Sequence, residues 1–453
     1  MRLGRAKTVQ AGMTFTVAAF AAAAAVAQTS NSPNTGNLTF GTTLDVNSNR
    51  DLAAVSTGAT FQLSEDIGLS LRTETSTQAL EFSASGGLTL DDSGSVTFSS
   101  PDALLRYTRD AANGDLSLEA RYRSSDVSSS YLDDPLDPFS VIVDSGTLTV
   151  TGASFSVNLR EDAPLSFGLD ASFDNRDYAG TTNPALFDET TLTLGVTANM
   201  RLSPTTEAAF AVTGTDYASQ DASSTEYQQM DYVLTVTHEL ANAVTISGDL
   251  GYRDRLTTAG GTPTRDAGLI GGLDLTRDLS NGSIFGGVSF DGSGSGAATS
   301  SLTFGRTLEL PSGSLSASLT TSFSSGSPAQ FAGSASYTQE LPDGAFSVDF
   351  SQSYLEDSLG RDIRYSNLGL GYSKALNSDA SLSLSLSASR SEDAGSGAAP
   401  TLDRAALAAT YSRALTPDWN MSVGYVREQL GGATTAASDS VFLTLTKDLQ
   451  FAF

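Results

Sequence analysis

The feature that most constrains this chain is an apolar residue at every second position, repeated over most of its length. Between Ser381 and Ser387 the leucines at 382, 384 and 386 alternate with serines. Side chains point to opposite faces of a β-strand with a period of two. The chain also ends in such a row, which continues to its terminal phenylalanine: Val441, Leu443, Leu445, Leu449, Phe451 and Phe453. The sequence therefore predicts an all-β fold in which each strand has one apolar face.

The first residues have the composition of a secretory leader. Arg2, Arg5 and Lys7 precede an apolar stretch, and Ala25-Val26-Ala27 is a small-residue cleavage site. We expect residues 1–27 to be a signal peptide, 28–36 a short N-terminal segment and 37–453 one domain. A membrane helix needs about 20 consecutive apolar residues, and no stretch after Gln28 approaches that length. Membrane insertion of the mature chain would therefore use strands.

Short polar turns alternate with longer loops along the chain. Asn281-Gly282 and Pro342-Asp343-Gly344 are typical of tight hairpin turns, whereas residues 291–299 and 391–400 form longer Gly/Ser/Asp-rich stretches. Ten short turns, near residues 65, 112, 162, 204, 241, 281, 311, 342, 378 and 416, predict about 22 strands, with 18 to 24 possible. This count assigns two strands to each turn and one to each chain end, and an even number is expected.

The leader, the alternation, the unequal turns and the terminal phenylalanine together resemble Gram-negative outer-membrane β-barrel proteins of the porin-like class. The resemblance implies a transmembrane antiparallel up-and-down β-barrel with short periplasmic turns and long extracellular loops. It also implies location in the outer membrane and contact with lipid and lipopolysaccharide. The C-terminal row resembles the signal that the barrel-assembly machinery reads.

A five-residue signature precedes many short turns, as in Tyr337-Thr-Gln-Glu-Leu341. Its first, third and fifth residues share one face, and they are commonly aromatic or apolar, then basic, then leucine. Such residues suit the membrane interface, where a basic side chain extends its charge past the aromatic ring. This pattern predicts a periplasmic aromatic girdle that contains Tyr107, Tyr337, Tyr372, Tyr411 and Trp419.

Strand parity places many charged residues on the face opposite the apolar rows. The predicted lumen-lining residues are Glu119, Asp170, Asp231, Asp249, Asp274, Asp349, Arg121, Arg253 and Arg404, and Arg123 and Arg255 share their parity. Acidic side chains in a pore favour cations. Charges of both signs could equally form ion pairs that only stiffen the wall, and the sequence leaves both interpretations open.

Composition excludes several functions. The formal net charge of −26 argues against nucleic-acid partners, which need basic surfaces. Cysteine is absent and His238 is the only histidine, so the chain is not expected to be an enzyme or to hold a cofactor or catalytic metal. A calcium site at Asp133, Asp134 and Asp137 is less favoured than a solvated acidic loop.

The sequence predicts a channel for passive diffusion of small hydrophilic solutes, with a mild preference for cations. The alternatives are a non-conducting structural or adhesive barrel with acidic loops, or an export barrel. TonB-dependent uptake is disfavoured, because the alternating region begins soon after the predicted cleavage site and leaves no plug. The oligomeric state stays open.

Overall fold

The computed structural model describes residues 34–50, 52–56, 58–127, 146–182, 186–292, 298–324, 329–356, 362–393, 401–432 and 435–453. The predicted signal peptide, most of the segment 28–36 and the acidic residues 133, 134 and 137 lie outside these ranges. Within them, no helix is long and apolar enough to span a membrane.

The described residues form 22 strands. They are β1 (Thr35–Asn47), β2 (Thr60–Glu74), β3 (Gln78–Asp91), β4 (Val96–Ala111), β5 (Gly114–Asp126), β6 (Thr147–Leu159), β7 (Leu165–Ala179), β8 (Glu189–Ser203), β9 (Thr206–Ser219), β10 (Glu226–Leu240), β11 (Val244–Ala259), β12 (Thr262–Leu279), β13 (Gly282–Asp291), β14 (Thr299–Leu310), β15 (Gly313–Ser324), β16 (Gln330–Leu341), β17 (Gly344–Glu356), β18 (Asp362–Asn377), β19 (Ala380–Asp393), β20 (Leu402–Thr416), β21 (Trp419–Gly432) and β22 (Ala436–Ala452).

The strands close into one antiparallel barrel. Each strand pairs with its neighbour in sequence, and β1 pairs with β22 from Thr35↔Ala452 to Asn47↔Ser440. Closure gives every strand a partner on both sides, which a membrane requires because hydrocarbon offers no hydrogen bonds to an open sheet edge. The predicted fold class and strand number are confirmed.

The two rims differ in the length of their connections. Ten turns of two to five residues lie at the rim where β1 begins and β22 ends. Connections at the other rim run from two residues, 260–261, to twenty, 127–146. This asymmetry matches the short periplasmic turns and the longer extracellular loops of an outer-membrane barrel.

One predicted turn is wrong. Glu65 and Asp66 lie in the middle of β2, and the first periplasmic turn comes later, at residues 75–77. Adjacent acidic residues are typical of a turn, but in a barrel wall alternate side chains point to opposite faces, so Asp66 faces the polar lumen. The other, Glu65, is on the apolar face and accepts hydrogen bonds from Thr42 Oγ1 at 2.9 and 2.8 Å.

Aromatic rings cover glycines on neighbouring strands. Phe451 of β22 lies across Gly36 of β1, so that a Cβ at this glycine would overlap the ring. Phe442 covers Gly424, and Phe285 covers Gly305, in the same way. The Phe451 contact lies on the seam that closes the barrel, where the two ends of the domain meet.

Candidate functional site in the barrel lumen

The two faces of the wall are distinguished by their side chains. On β12, Leu269, Leu273 and Leu275 are 57%, 52% and 46% exposed and belong to one face. In a closed barrel that crosses a membrane, an apolar face meets lipid and the alternate polar face surrounds the lumen. We call these the outer and the lumenal face. All nine predicted lumen-lining residues lie opposite the apolar rows.

On β2 to β5 the lumenal face carries a ladder of alternating charges. Arg72, Glu81, Arg106 and Glu119 are direct partners across three consecutive strand pairs. Arg72 Nη1 lies 2.7 Å from Glu81 Oε1, and Arg106 Nη2 lies 2.7 Å from Glu119 Oε2. The predicted residue Glu119 is therefore the last member of an ion-pair row in the wall.

Two other predicted arginines are also paired. Arg121 crosses Gly152 of β6 to reach Asp174 of β7, and a Cβ at this glycine would lie 2.6 Å from Arg121 Nε. Arg404 Nη2 lies 3.2 Å from Glu428 Oε1, and its side chain is only 11% exposed. Both arginines thus form ion pairs within the wall, and whether these pairs serve to stiffen it stays a prediction.

Arg253 forms a bridge between two acidic residues. Its Nε lies 2.9 Å from Asp231 Oδ1, and its Nη1 lies 2.7 Å from Asp291 Oδ2. The guanidinium thus links β10, β11 and β13 across the glycine-rich strand β12. Sequence parity found Asp231 and Arg253 but missed Asp291, which ends its strand and follows the outward-facing Phe290.

The remaining predicted acids have no Lys or Arg nitrogen within 4 Å in the described part of the chain. Asp349 Oδ1 accepts a hydrogen bond from Ser336 Oγ at 2.6 Å. Asp249 and Asp274 lie against glycines of the next strand, Gly272 and Gly287, whose missing side chains make room for the carboxylates. Asp170 has a similar position beside Gly195.

The sequence missed an aromatic and cationic stack in the extracellular half of the lumen. The rings of Tyr217 on β9 and Tyr227 on β10 are stacked at 4.8 Å with 17° between their planes. Arg255 Cζ lies 4.0 Å from the centre of the Tyr227 ring. Tyr217 donates its hydroxyl to Glu189 Oε2 at 3.0 Å, and Arg176 Nε lies 3.4 Å from Glu189 Oε1. The parity of both tyrosines, on either side of the 220–225 loop, was the signal available in the sequence.

The predicted girdle residues lie on outer-face rows near the periplasmic rim. Tyr107 donates its hydroxyl to Gln78 Oε1 at 3.1 Å, and Tyr337 donates its own to Gln339 Oε1 at 2.7 Å. Lys447 Nζ lies 5.2 Å from the Trp419 ring. Tyr372 and Tyr411 occupy equivalent positions on β18 and β20. His238 belongs to the same outer rows, and its Nδ1 lies 2.8 Å from Thr206 Oγ1.

The C-terminal row lies on the outer face of β22. Val441, Leu443, Leu449, Phe451 and Phe453 are between 36% and 58% exposed, and Leu445 is partly covered. The geometry places this row beside the closing seam, and its role as an assembly signal stays a prediction. No cluster of three or more His, Cys, Asp or Glu suited to a metal ion occurs among the described residues.

Several solved structures with the same fold are iron transporters and siderophore receptors. The FrpB iron transporter from Neisseria meningitidis (F3-3 variant) has a TM-score of 0.64 at 8% identity, over 92% of this chain and 82% of its own. The siderophore receptor PirA from Acinetobacter baumannii has a TM-score of 0.61 at 9% identity, over 92% and 81%. This protein is a Gram-negative outer-membrane β-barrel.

A variant of the ferric enterobactin receptor PfeA from Pseudomonas aeruginosa, solved with enterobactin, is also similar. Its TM-score is 0.58 at 10% identity, over 93% of this chain and 82% of its own. No protein-family model and no curated protein matches the sequence. At such low identity the likeness establishes the fold, and the outer-membrane location implies contact with lipid and lipopolysaccharide.

These neighbours correct the function predicted from the sequence. Passive diffusion of small solutes is wrong, because the solved barrels named above, which share this fold, are an iron transporter and siderophore receptors. The adhesive and export alternatives do not match them either. The error came from treating a wide polar lumen as sufficient for a pore, and from setting aside the receptor class for want of a plug.

Proposed function

We propose that this barrel takes up a specific ligand across the outer membrane, and that iron–siderophore complexes are the first ligands to test. The observation that carries the proposal is the shared barrel fold, which covers over nine-tenths of this chain in proteins described as iron transporters and siderophore receptors. Binding and passage of such a ligand need no covalent chemistry, in keeping with the expectation that the chain is not an enzyme.

The lumenal wall supports selective binding. Its extracellular half combines the Tyr217–Tyr227 stack with the Arg253 bridge, so that flat apolar surfaces lie close to fixed charges of both signs. Ligand sites commonly combine aromatic surface with a few oriented polar groups. A charge-paired wall also holds these groups in place, because each ion pair fixes the side chains of two strands.

Transport in cells tests the proposal. A strain without its own iron receptors would express this barrel and receive catecholate, hydroxamate or carboxylate chelates labelled with radioactive iron. We expect uptake of at least one chelate to saturate with concentration and to exceed the uptake of cells with an empty vector. Uptake that rises linearly for every chelate, or that equals the vector control throughout, would contradict specific uptake.

A matched pair of variants locates the transport path. Arg253→Gln breaks the lumenal bridge to Asp231 and Asp291. Arg265→Gln breaks the outer-face pair with Asp254 and leaves the lumen unchanged. We expect the first variant alone to alter the half-saturating concentration. Equal effects of both variants, at equal amounts of folded barrel, would contradict passage through the lumen.

We also propose that the C-terminal row of β22 is recognised by the barrel-assembly machinery. Support comes from its position: the row lies on the outer face, ends in two aromatic residues and adjoins the seam between β1 and β22.

A further inference from the structure

Arg255 differs from most lumenal arginines in having no carboxylate partner. Seven lumenal arginines have a carboxylate oxygen within 4 Å: Arg72, Arg106, Arg121, Arg176, Arg201, Arg253 and Arg404. Among the described residues, Arg123 and Arg255 do not. Arg123 is exposed, whereas Arg255 is half-buried and rests on the Tyr227 ring.

A carboxylate lies directly opposite Arg255 without pairing with it. Asp266 on β12 is the register partner of Arg255 on β11, and both belong to the lumenal face. Directly opposed residues have Cβ atoms about 4.5–5.5 Å apart, which is within easy reach of an ion pair. Instead the guanidinium stacks on the tyrosine, and Asp266 has no hydrogen bond or ion pair in the described part of the chain.

The stack explains why the guanidinium stays away from Asp266. Tyr217, Tyr227 and Arg255 form a row on three neighbouring strands, and an arginine over an aromatic face is held by its π-electrons. Arg255 Nε is covered by protein and has no acceptor within the described residues. A planar cation fixed in this way keeps its other N–H groups available for a carboxylate.

We propose that Arg255 and Asp266 bind the two charged groups of a zwitterionic ligand, one that carries a carboxylate and an ammonium group close together. Arg255 takes the carboxylate, Asp266 takes the ammonium group, and the edges of the Tyr217–Tyr227 stack contact the apolar part of the ligand. A zwitterion leaves neither charge of the wall uncompensated, whereas a simple anion would meet repulsion from Asp266. The inference rests on the proposed function, because it names a class of ligand for this lumen.

Three small probe molecules distinguish the contribution of the carboxylate from that of the ammonium group. Phenylalanine is a zwitterion with an aromatic ring, 3-phenylpropionate has only the carboxylate, and phenethylamine has only the ammonium group. Binding to the folded full-length barrel in detergent would be measured by calorimetry. We expect phenylalanine to bind about tenfold or more tightly than either analogue, because each analogue leaves one charged group unpaired. Equal affinity for the three probes, or no binding of phenylalanine, would overturn the proposal.

Variants test the named residues. We expect Arg255→Gln and Asp266→Asn each to reduce phenylalanine affinity about tenfold and to leave the weak binding of one analogue unchanged. Arg265→Gln, next to Asp266 but on the outer face, is the matched control and should bind as the parent does. Loss of binding in the control as well would count against the site.

A double-mutant cycle distinguishes a ligand site from an internal ion pair. If Arg255 and Asp266 serve the ligand, their variants should be additive in the free energy of unfolding without ligand and coupled in ligand affinity. Coupling in unfolding alone would make them an ordinary wall pair and overturn the inference. Saturable chelate uptake without phenylalanine binding would refute the Arg255–Asp266 ligand site and leave the proposed function intact. Phenylalanine binding without saturable uptake of any chelate would refute the proposed function and leave the ligand site intact.

Discussion

Glu65→Leu should stabilise the barrel, because Glu65 is an acidic residue on the lipid-facing side of β2. Leu63 and Ile67 precede and follow it on the same face, and Ile67 is 51% exposed. Its only described partner is the Thr42 hydroxyl, which donates to both carboxylate oxygens at 2.9 and 2.8 Å. Leucine would continue the apolar row without changing the strand.

The expected gain is small but measurable. A basic residue at the membrane midplane costs about 2–4 kcal/mol, and an acid costs less. The Thr42 hydrogen bond, which the variant loses, contributes about 1 kcal/mol. The difference predicts that Glu65→Leu raises the free energy of unfolding by about 1 kcal/mol.

The matched control is the next residue. Asp66 points to the lumen, where its Oδ1 lies against Gly87, so Asp66→Leu should give no gain. Unfolding would be measured by urea titration in phospholipid vesicles, with the fluorescence of Trp419, the single tryptophan, as the signal. A loss of stability in Glu65→Leu, or an equal gain in Asp66→Leu, would refute the assignment of faces to β2.

Three further predictions concern the seam, assembly and the periplasmic rim. Gly36→Ala should lower the free energy of unfolding in vesicles by about 1–3 kcal/mol, because the added methyl overlaps the Phe451 ring across the seam. Gly41→Ala is the control and should cost much less, because its added Cβ has its nearest neighbour at 3.7 Å. Equal losses of stability in the two variants would argue against overlap with the ring. Deleting Phe453 should lower the amount of heat-modifiable barrel in membrane fractions, whereas Phe453→Tyr should preserve that amount. Normal insertion of the deletion variant would show that Phe453 is not needed for assembly. A hydrogen bond to Asp115, together with nearby carboxylates, raises the pKa of Glu161 in the 160–164 turn. The folded barrel therefore loses stability as the pH rises through and above the usual glutamate range, because Glu161 then ionises. Glu161→Gln should therefore raise the urea midpoint at pH 7 and leave it unchanged at pH 4, and a gain at both values would exclude titration as the cause.

Local composition predicted most of the short turns, but it wrongly predicted a turn at one pair of adjacent acidic residues. The nine other predicted short turns fall at or beside observed periplasmic turns, because Gly, Asn, Asp and Pro satisfy tight backbone geometry. Glu65-Asp66 has the same composition and lies mid-strand, with one side chain in the lumen and the other bonded to Thr42. Only the partner strand could show this difference.

The site residues divide in the same way. Parity alone put Glu119, Asp231 and Arg253 on one face, but parity says nothing about which side chains meet. Arg121 reaches Asp174 because a glycine separates them on β6, and Arg253 reaches Asp291 across β12. These contacts depend on strand register and on a glycine in the strand that lies between the two partners.

The sequence by itself determined that this chain is a strand-built membrane wall, because a period of two separates lipid-facing from polar side chains within each strand. The tertiary structure decided that β1 pairs with β22, and that Tyr217, Tyr227, Arg255 and Asp266 lie beside one another in the lumen. Such neighbours come from different strands, whose register is fixed by turns and by closure. Alternation determines on which face a side chain lies, and strand pairing determines which side chains lie beside it.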